Sequence, residues 1–253
     1  MIPCRSPREL EHLRKSGLAV YEVLGEIIAA VAPGVSTWDL EVVAERAIRQ
    51  RGATPAFRGY RGYPCVLCAS VNEEVVHGIP TRKRLLRAGD VLSLDCGVVL
   101  DGYYGDSATT VVVGGGEAPL PAAVQRLLAA TQESLAAGIA CARAGNYLGD
   151  ISHAVQRHVE GEGFSVVREF VGHGIGTHLH EEPQIPNYGA PGAGPKLREG
   201  MVLAIEPMVN QGSAEVRVLG DGWTAVTADG GCSAHFEHTV AITKEGPWIL
   251  TQP

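Results

Sequence analysis

Leu86-Arg87-Ala88-Gly89-Asp90-Val91-Leu92-Ser93-Leu94-Asp95 is matched in character by Leu197-Arg198-Glu199-Gly200-Met201-Val202-Leu203-Ala204-Ile205-Glu206. The offset that carries Leu86 onto Leu197 also puts Asp95 opposite Glu206. The same offset relates Gly34, Asp39, Arg46 and Gly52 to Gly145, Asp150, Arg157 and Gly163. A period of this size is too long for a solenoid repeat. It predicts one fold made of two similar halves, about 1–116 and 117–253, with a carboxylate from each half meeting near the pseudo-symmetry axis. A second acidic pair extends the pattern, since Asp106 opens Asp-Ser-Ala-Thr-Thr-Val and Glu237 opens Glu-His-Thr-Val-Ala-Ile. Asp106 and Glu237 are further apart than the repeat offset, so the second half carries an insertion of twenty residues between its two acids. Four converging carboxylates predict a metal site.

At 253 residues the chain is near the upper limit for one core, and no Pro/Ser-rich linker or charge run divides it. A single domain over 1–253 is expected. The formal net charge of −7 argues against nucleic acid as the main ligand, because neutralising phosphates needs a basic face. The Arg82-Lys83-Arg84 run, with Arg87, reads as a solvated loop. No apolar stretch opens the chain, and the most apolar helical segment, Leu18 to Val31, is interrupted by Glu22 and Glu26. Neither a secretory signal nor a membrane span is expected. Six cysteines without a framework read as free thiols in a reducing compartment, the cytoplasm. Without any interface signal, a monomer is the expectation.

Ser6-Pro7-Arg8-Glu9 is a capping box with proline at the first helical position, and Leu10, Leu13, Val20, Leu24 and Ile27 follow with helical spacing. Pro33-Gly34 ends that helix, and a second runs from about Trp38 to Arg51. In the second half, Pro121 opens a helix and Asp150 begins another that ends at Gly161 to Gly163. Strands are predicted after each helix pair. Val91 to Leu100 is a strand, Asp101-Gly102 a tight turn, and Tyr103 to Val113 the return. A two-residue turn pairs Leu100 with Tyr103 and Asp95 with Ala108, which brings Asp106 to the same face as Asp95. Met201 to Val209 and Ser233 to Ile242 read as the corresponding strands. Helix-helix-strands done twice gives an α/β (α+β) protein with helices covering an antiparallel sheet. Gly114-Gly115-Gly116 reads as a connector.

Asp95 lies between Val91-Leu92-Ser93-Leu94 and Cys96-Gly97-Val98-Val99-Leu100, where an unpaired charge is expensive to bury. Glu206, between Ala204-Ile205 and Pro207-Met208-Val209, has the same problem, and neither strand offers Lys or Arg as a partner. Metal is favoured over a structural ion pair. Among nine histidines, His173 stands apart in Gly172-His173-Gly174-Ile175-Gly176, where glycines let backbone and ligand come close. Imidazole with Asp and Glu oxygens suits Mn, Fe, Co or Zn. His77 and His180 each end an apolar stretch before a loop, and their matching places in the halves make them candidate neutral donors beside the metal. Cys65-Val66-Leu67-Cys68 lacks the second pair of a zinc knuckle, and His180-Glu181-Glu182-Pro183 lacks the second histidine of a zincin helix.

With these residues in view, the chain resembles the type I methionine aminopeptidases of the short bacterial form across essentially its whole length. The motifs that carry the resemblance are Ser70 to Pro80, Leu94-Asp95-Cys96-Gly97 with Asp101 to Asp106, Gly172 to Gly176, His180-Glu181-Glu182-Pro183, Ile205-Glu206-Pro207 and Glu237-His238-Thr239. The resemblance implies the pita-bread fold and two divalent metal ions. In it, Asp95 chelates one ion, Asp106 and Glu237 bridge both, and His173 and Glu206 complete the other. It further implies that the ions lower the pKa of the attacking water, that Glu206 is the general base, and that His77 and His180 position the scissile peptide. Tyr60, Tyr63, Cys68 and Trp223 are expected to line the methionine pocket. Phe57, Arg61 and Leu179 depart from the residues common in the family at those places. The implied substrates are nascent polypeptide N-termini whose second residue is small, and the resemblance leaves room for a transient ribosome contact.

Two alternatives share the fold. Prolidases and Xaa-Pro aminopeptidases carry the same ligands but a sizeable N-terminal domain, for which this chain has no room; the type II methionine aminopeptidases need a longer insertion than the one found here. A non-catalytic pita-bread binding protein is expected to lack metal ligands and to be basic, whereas here all five ligands are present on an acidic chain.

Overall fold

A computed structural model describes residues 2–115 and 120–253. The expected boundary between halves, and the last residue of the Gly114-Gly115-Gly116 connector, lie outside the described residues. Helix α1 spans Pro7–Ala29 and α2 Thr37–Gln50; α3 spans Ala122–Cys141 and α4 Leu148–Gly161. Ser6 with Glu9 and Ser36 with Asp39 close capping boxes at α1 and α2. Asp150 is the third residue of α4 rather than its start, because a carboxylate at that position reaches back to the Tyr147 N–H, 2.7 Å away. No helix of the described residues is long and apolar enough to cross a membrane.

In the first half the strands are β1 (Thr54–Pro55), β2 (Leu67–Val71), β3 (Glu74–Val76), β4 (Val91–Leu100) and β5 (Tyr103–Val112). The second half adds β6 (Ser165–Val166), β7 (Gly172–Gly174), β8 (Glu181–Ile185), β9 (Val202–Ile205) and β10 (Met208–Asn210). It continues through β11 (Val216–Val218), β12 (Ala225–Thr227), β13 (Ser233–His235), β14 (His238–Ile242) and β15 (Pro247–Ile249). All the pairings between these strands are antiparallel, and β15-β14-β9-β7-β8 forms the largest sheet.

The internal repeat has a physical basis. Gly34 donates to the Leu86 carbonyl at 2.8 Å, and their counterparts repeat the bond, with Gly145 donating to Leu197 at 3.0 Å. The bridges Ser36↔Leu85 and Tyr147↔Lys196 repeat at the same offset. Gly34 and Gly145 turn at φ 88° and 99°, a region that favours glycine. The matched glycines therefore mark the same helix-to-helix corner twice. Each helix pair covers its own apolar cluster: Val20, Ile27, Leu40 and Ile48 lie against Leu67, Leu92 and Leu94, and Leu127, Ile151 and Val155 lie against Leu203, Ile205 and Val240.

The β4–β5 hairpin has the expected register, with Leu100 opposite Tyr103 and Asp95 opposite Ala108. Asp101 and Gly102 both take positive φ, 52° and 82°, as a two-residue hairpin turn requires. The second-half strands differ from expectation. Met201–Val209 is broken at Glu206-Pro207 into β9 and β10, and Ser233–Ile242 is broken at Phe236-Glu237 into β13 and β14. Pro207 has no N–H for a ladder, and at this break the chain leaves one sheet, where β9 pairs β14, for another, where β10 pairs β13. Glu206 and Glu237 stand at the two breaks, turned towards the hairpin that carries Asp95 and Asp106.

Candidate metal centre

Asp95 and Asp106 come from adjacent strands, two positions apart on one face of the β4–β5 hairpin. Glu237 is fastened to that hairpin: Ser107 Oγ donates to its carbonyl at 2.8 Å, and its own N–H donates to the Ala108 carbonyl at 2.9 Å. Glu206 is held from behind, where Asn187 Nδ2 donates to its carbonyl at 3.0 Å. His173, in the middle of β7, completes the group. Ligand atoms of Asp106, His173 and Glu237 all lie within 4.8 Å of one another. His173 Nε2 is 3.9 Å from Asp106 Oδ2 and 3.5 Å from Glu206 Oε1.

Burial makes this cluster costly unless something positive enters it. Asp106 and Glu237 are buried, while Asp95 and Glu206 are half-buried. Burial pushes the carboxyl of Asp95 up to about 7 and that of Glu206 up to about 8. It pushes Asp106 and Glu237 well above the carboxylate range, and the neighbouring acids add to the rise. Asp95 Oδ1, Asp106 Oδ1 and Glu237 Oε1 are buried with no hydrogen-bond partner among the described residues. Such orphaned oxygens, converging from the β4–β5 hairpin and the break between β13 and β14, fit a divalent cation. His173 fits too. Its Nδ1–H donates to the Gly174 carbonyl at 2.9 Å, which leaves the Nε2 lone pair facing the acids. Burial drives its pKa down to about 3, towards the neutral imidazole that a metal requires.

The centre lies in a cavity of about 320 Å³ that every sequence-predicted site residue lines. His77 and His180 flank it. His77 follows β3 at φ 61° and packs edge-on against Phe170 and Trp223, and burial lowers it to about 4. His180 stands just before β8 rather than ending a stretch, and its Nδ1 shares a 2.7 Å hydrogen bond with the Tyr60 hydroxyl. Tyr63, Cys68 and Trp223 belong to one apolar cluster, with the Tyr63 and Trp223 rings edge-to-face at 5.1 Å. The Tyr63 hydroxyl is tied to the carbonyls of Leu67 and Gly78, which fixes that wall. Phe57 and Leu179 are buried on the same side, and Gly97 has no side chain because a Cβ there would meet the Phe57 ring at 2.6 Å.

Three features of the site escape the sequence reading. The insertion in the second half forms the β11–β12 hairpin, whose β12 pairs with β3 and thereby lowers Trp223 beside His77. The glycines around His173 admit neighbouring backbone rather than a ligand: a Cβ on Gly172 would meet the Ala204 carbonyl at 2.4 Å, and one on Gly174 the Glu182 carbonyl at 2.2 Å. The third is His235, a buried imidazole in the cavity wall whose Nε2 is 3.6 Å from Glu206 Oε2. One signal for it exists in the sequence, since His235 precedes Glu237 by two and alternate strand residues share a face.

Two histidines flanking a cluster of orphaned carboxylates define a metallohydrolase type of site, and comparison agrees: residues 11–244 match metallopeptidase family M24, and the chain belongs to that family. It is 52% identical over 252 residues to methionine aminopeptidase 1 of Bacillus subtilis, covering 100% of both chains. It is 49% identical to methionine aminopeptidase 1 of Mycobacterium tuberculosis over 257 residues, 99% of this chain and 95% of that one. The crystal structure of methionine aminopeptidase from Thermotoga maritima superposes with a TM-score of 0.97 at 47% identity, each chain fully covered. The prolidase from Pyrococcus horikoshii shares the fold alone, with a TM-score of 0.79, 21% identity and 63% of that chain covered. The pita-bread fold implied by the sequence is the fold of this chain.

Proposed function

We propose that this chain is a methionyl aminopeptidase that removes the N-terminal methionine of polypeptides whose second residue is small. The observation that carries the reading is the joining, in one cavity, of the acid cluster with the Tyr63–Cys68–Trp223 apolar wall. Relatives of about half identity over the full length carry the same name, which supports it. Asp95, Asp106, His173, Glu206 and Glu237 would hold two divalent cations, of Co, Mn, Fe or Zn, in a single catalytic unit. Bound there, such cations polarise a carbonyl and lower the pKa of water.

The chain's own groups do the rest. Glu206, half-buried and raised by burial, takes the proton of the attacking water on its carboxylate and returns it to the leaving amine. His77 is held neutral by burial and donates to the peptide oxygen as charge develops there. His180, oriented by the Tyr60 hydroxyl, positions the scissile group from the opposite side. The apolar wall accepts an unbranched thioether and excludes water from it. The test is hydrolysis of Met-Ala-Ser by protein stripped with chelator and reconstituted with Mn²⁺ or Co²⁺. Activity that returns with metal and tracks its content is expected; activity untouched by chelation, or confined to Xaa-Pro bonds, overturns the reading.

A further inference from the structure

We propose that His235 is a positioning residue of the metal centre, holding Glu206 through its Nε2–H so that one carboxylate oxygen is left to the cation. The inference rests on the metal centre proposed above. Glu206 is bracketed by two imidazoles: Oε1 lies 3.5 Å from His173 Nε2, and Oε2 lies 3.6 Å from His235 Nε2. No other acidic residue among the described residues brings a carboxylate oxygen within 4.0 Å of that His235 nitrogen. The nitrogen is buried and has no hydrogen-bond partner among the described residues. A separation of 3.6 Å is longer than a hydrogen bond, so the carboxylate has to shift by a few tenths of an ångström to accept from this nitrogen. Catalytic hydrogen bonds commonly tighten only in the loaded site.

The residue is enclosed and its backbone is fixed. His235 is 1% exposed, and β13 pairs it with Met208, two residues beyond Glu206. Its N–H donates to Thr110 Oγ1 at 2.9 Å, and Thr110 Oγ1 donates back to its carbonyl at 2.7 Å. Ser93 Oγ, 2.8 Å from Thr110 Oγ1, ties both to strand β4, which carries Asp95. The imidazole thus reaches Glu206 from a backbone anchored on the opposite hairpin. A ligating carboxylate held from behind keeps its free oxygen aimed, and losing such a support typically costs about 10–100-fold in metal affinity or activity.

The experiment titrates the metal-stripped protein with Mn²⁺ by calorimetry and measures kcat and KM on Met-Ala-Ser after loading. In His235→Leu the binding step that requires His173 should weaken by about 10–100-fold and kcat fall by a similar factor, with stoichiometry at saturation kept. His235→Gln, which carries an amide N–H at comparable reach, should stay within about threefold of the parent in both readouts. His235→Asn, whose amide falls short, should behave as His235→Leu does. If His235→Leu does not fold, the Gln and Asn variants carry the test alone. The proposal is overturned if the folded Gln variant is as impaired as Leu or Asn, or if Leu leaves affinity and kcat unchanged. Loss of one whole metal equivalent, as in His173→Ala, makes His235 a ligand and also overturns it. If the parent itself binds no Mn²⁺, the reading of the centre falls instead.

Discussion

Ser107 Oγ donates to the carbonyl of Glu237 across 2.8 Å, tying an acid of the second half to the hairpin of the first. Both groups are buried, so removing the hydroxyl leaves a carbonyl without a partner. Ser107→Ala should lower stability by about 1–3 kcal/mol, read from the urea midpoint of metal-free protein. An unchanged midpoint means that the β-ladder alone holds the halves in register.

Asp106 and Glu206 should separate in their effects. Asp106 lies inside the cluster with His173 and Glu237, so Asp106→Ala should lose metal and activity together. Glu206→Gln keeps shape and one oxygen, and should lose about 10²–10⁴-fold in kcat while keeping most of its metal. Metal analysis beside the assay decides. An active, metal-free Asp106→Ala protein would remove the basis of the assignment.

These acids also show what a sequence can and cannot tell. Asp95 and Asp106 are readable together because a two-residue turn fixes the register of the hairpin, and register fixes the face. Glu206 and Glu237 are readable as misplaced acids, but not as the points where two strands break, since the break depends on which sheet each flank joins. Trp223 arrives through the pairing of β12 with β3, a strand of the other half, and no local pattern encodes that partnership. His235 carries a period-two relation to Glu237, which becomes informative only once Glu206 is known to lie opposite.

His77 and His180 should act without holding metal. Burial keeps His77 near about 4, below the ordinary 6.5 of a histidine. It is therefore neutral at every pH above about 5, and its charge does not change between about pH 6 and 9. His77→Asn should lower kcat by about 10²–10³-fold at all pH values, with the limbs of the profile where the parent has them. Metal stoichiometry should be kept in His77→Asn and His180→Ala. Disappearance of a limb near neutral pH in the Asn variant makes His77 a titrating acid; metal loss in either makes that histidine a ligand.

Substrate choice should follow from the two walls of the cavity. The Tyr63, Cys68 and Trp223 side is apolar and rigid, with the Tyr63 hydroxyl pinned between two carbonyls, so it fits an unbranched side chain of methionine's length. Discrimination by such a pocket is only about 1–3 kcal/mol per methylene, so norleucine or leucine at the first position should be cleaved slowly rather than refused. The second residue meets a different constraint. His77 and His180 line the cavity beside the acids, and Phe57 fills space that Gly97 leaves open. A bulky second side chain displaces the carbonyl from the acids, so kcat/KM should fall from Gly and Ala through Thr and Val to Leu and Lys. Phe57→Cys should relax that order most at Thr and Val. A series of Met-Xaa tripeptides, compared by kcat/KM in parent and variant, makes the measurement. Efficient cleavage of Met-Leu or Met-Lys by the parent, or a variant with the parent's ranking, moves the restriction away from Phe57 and the histidine pair.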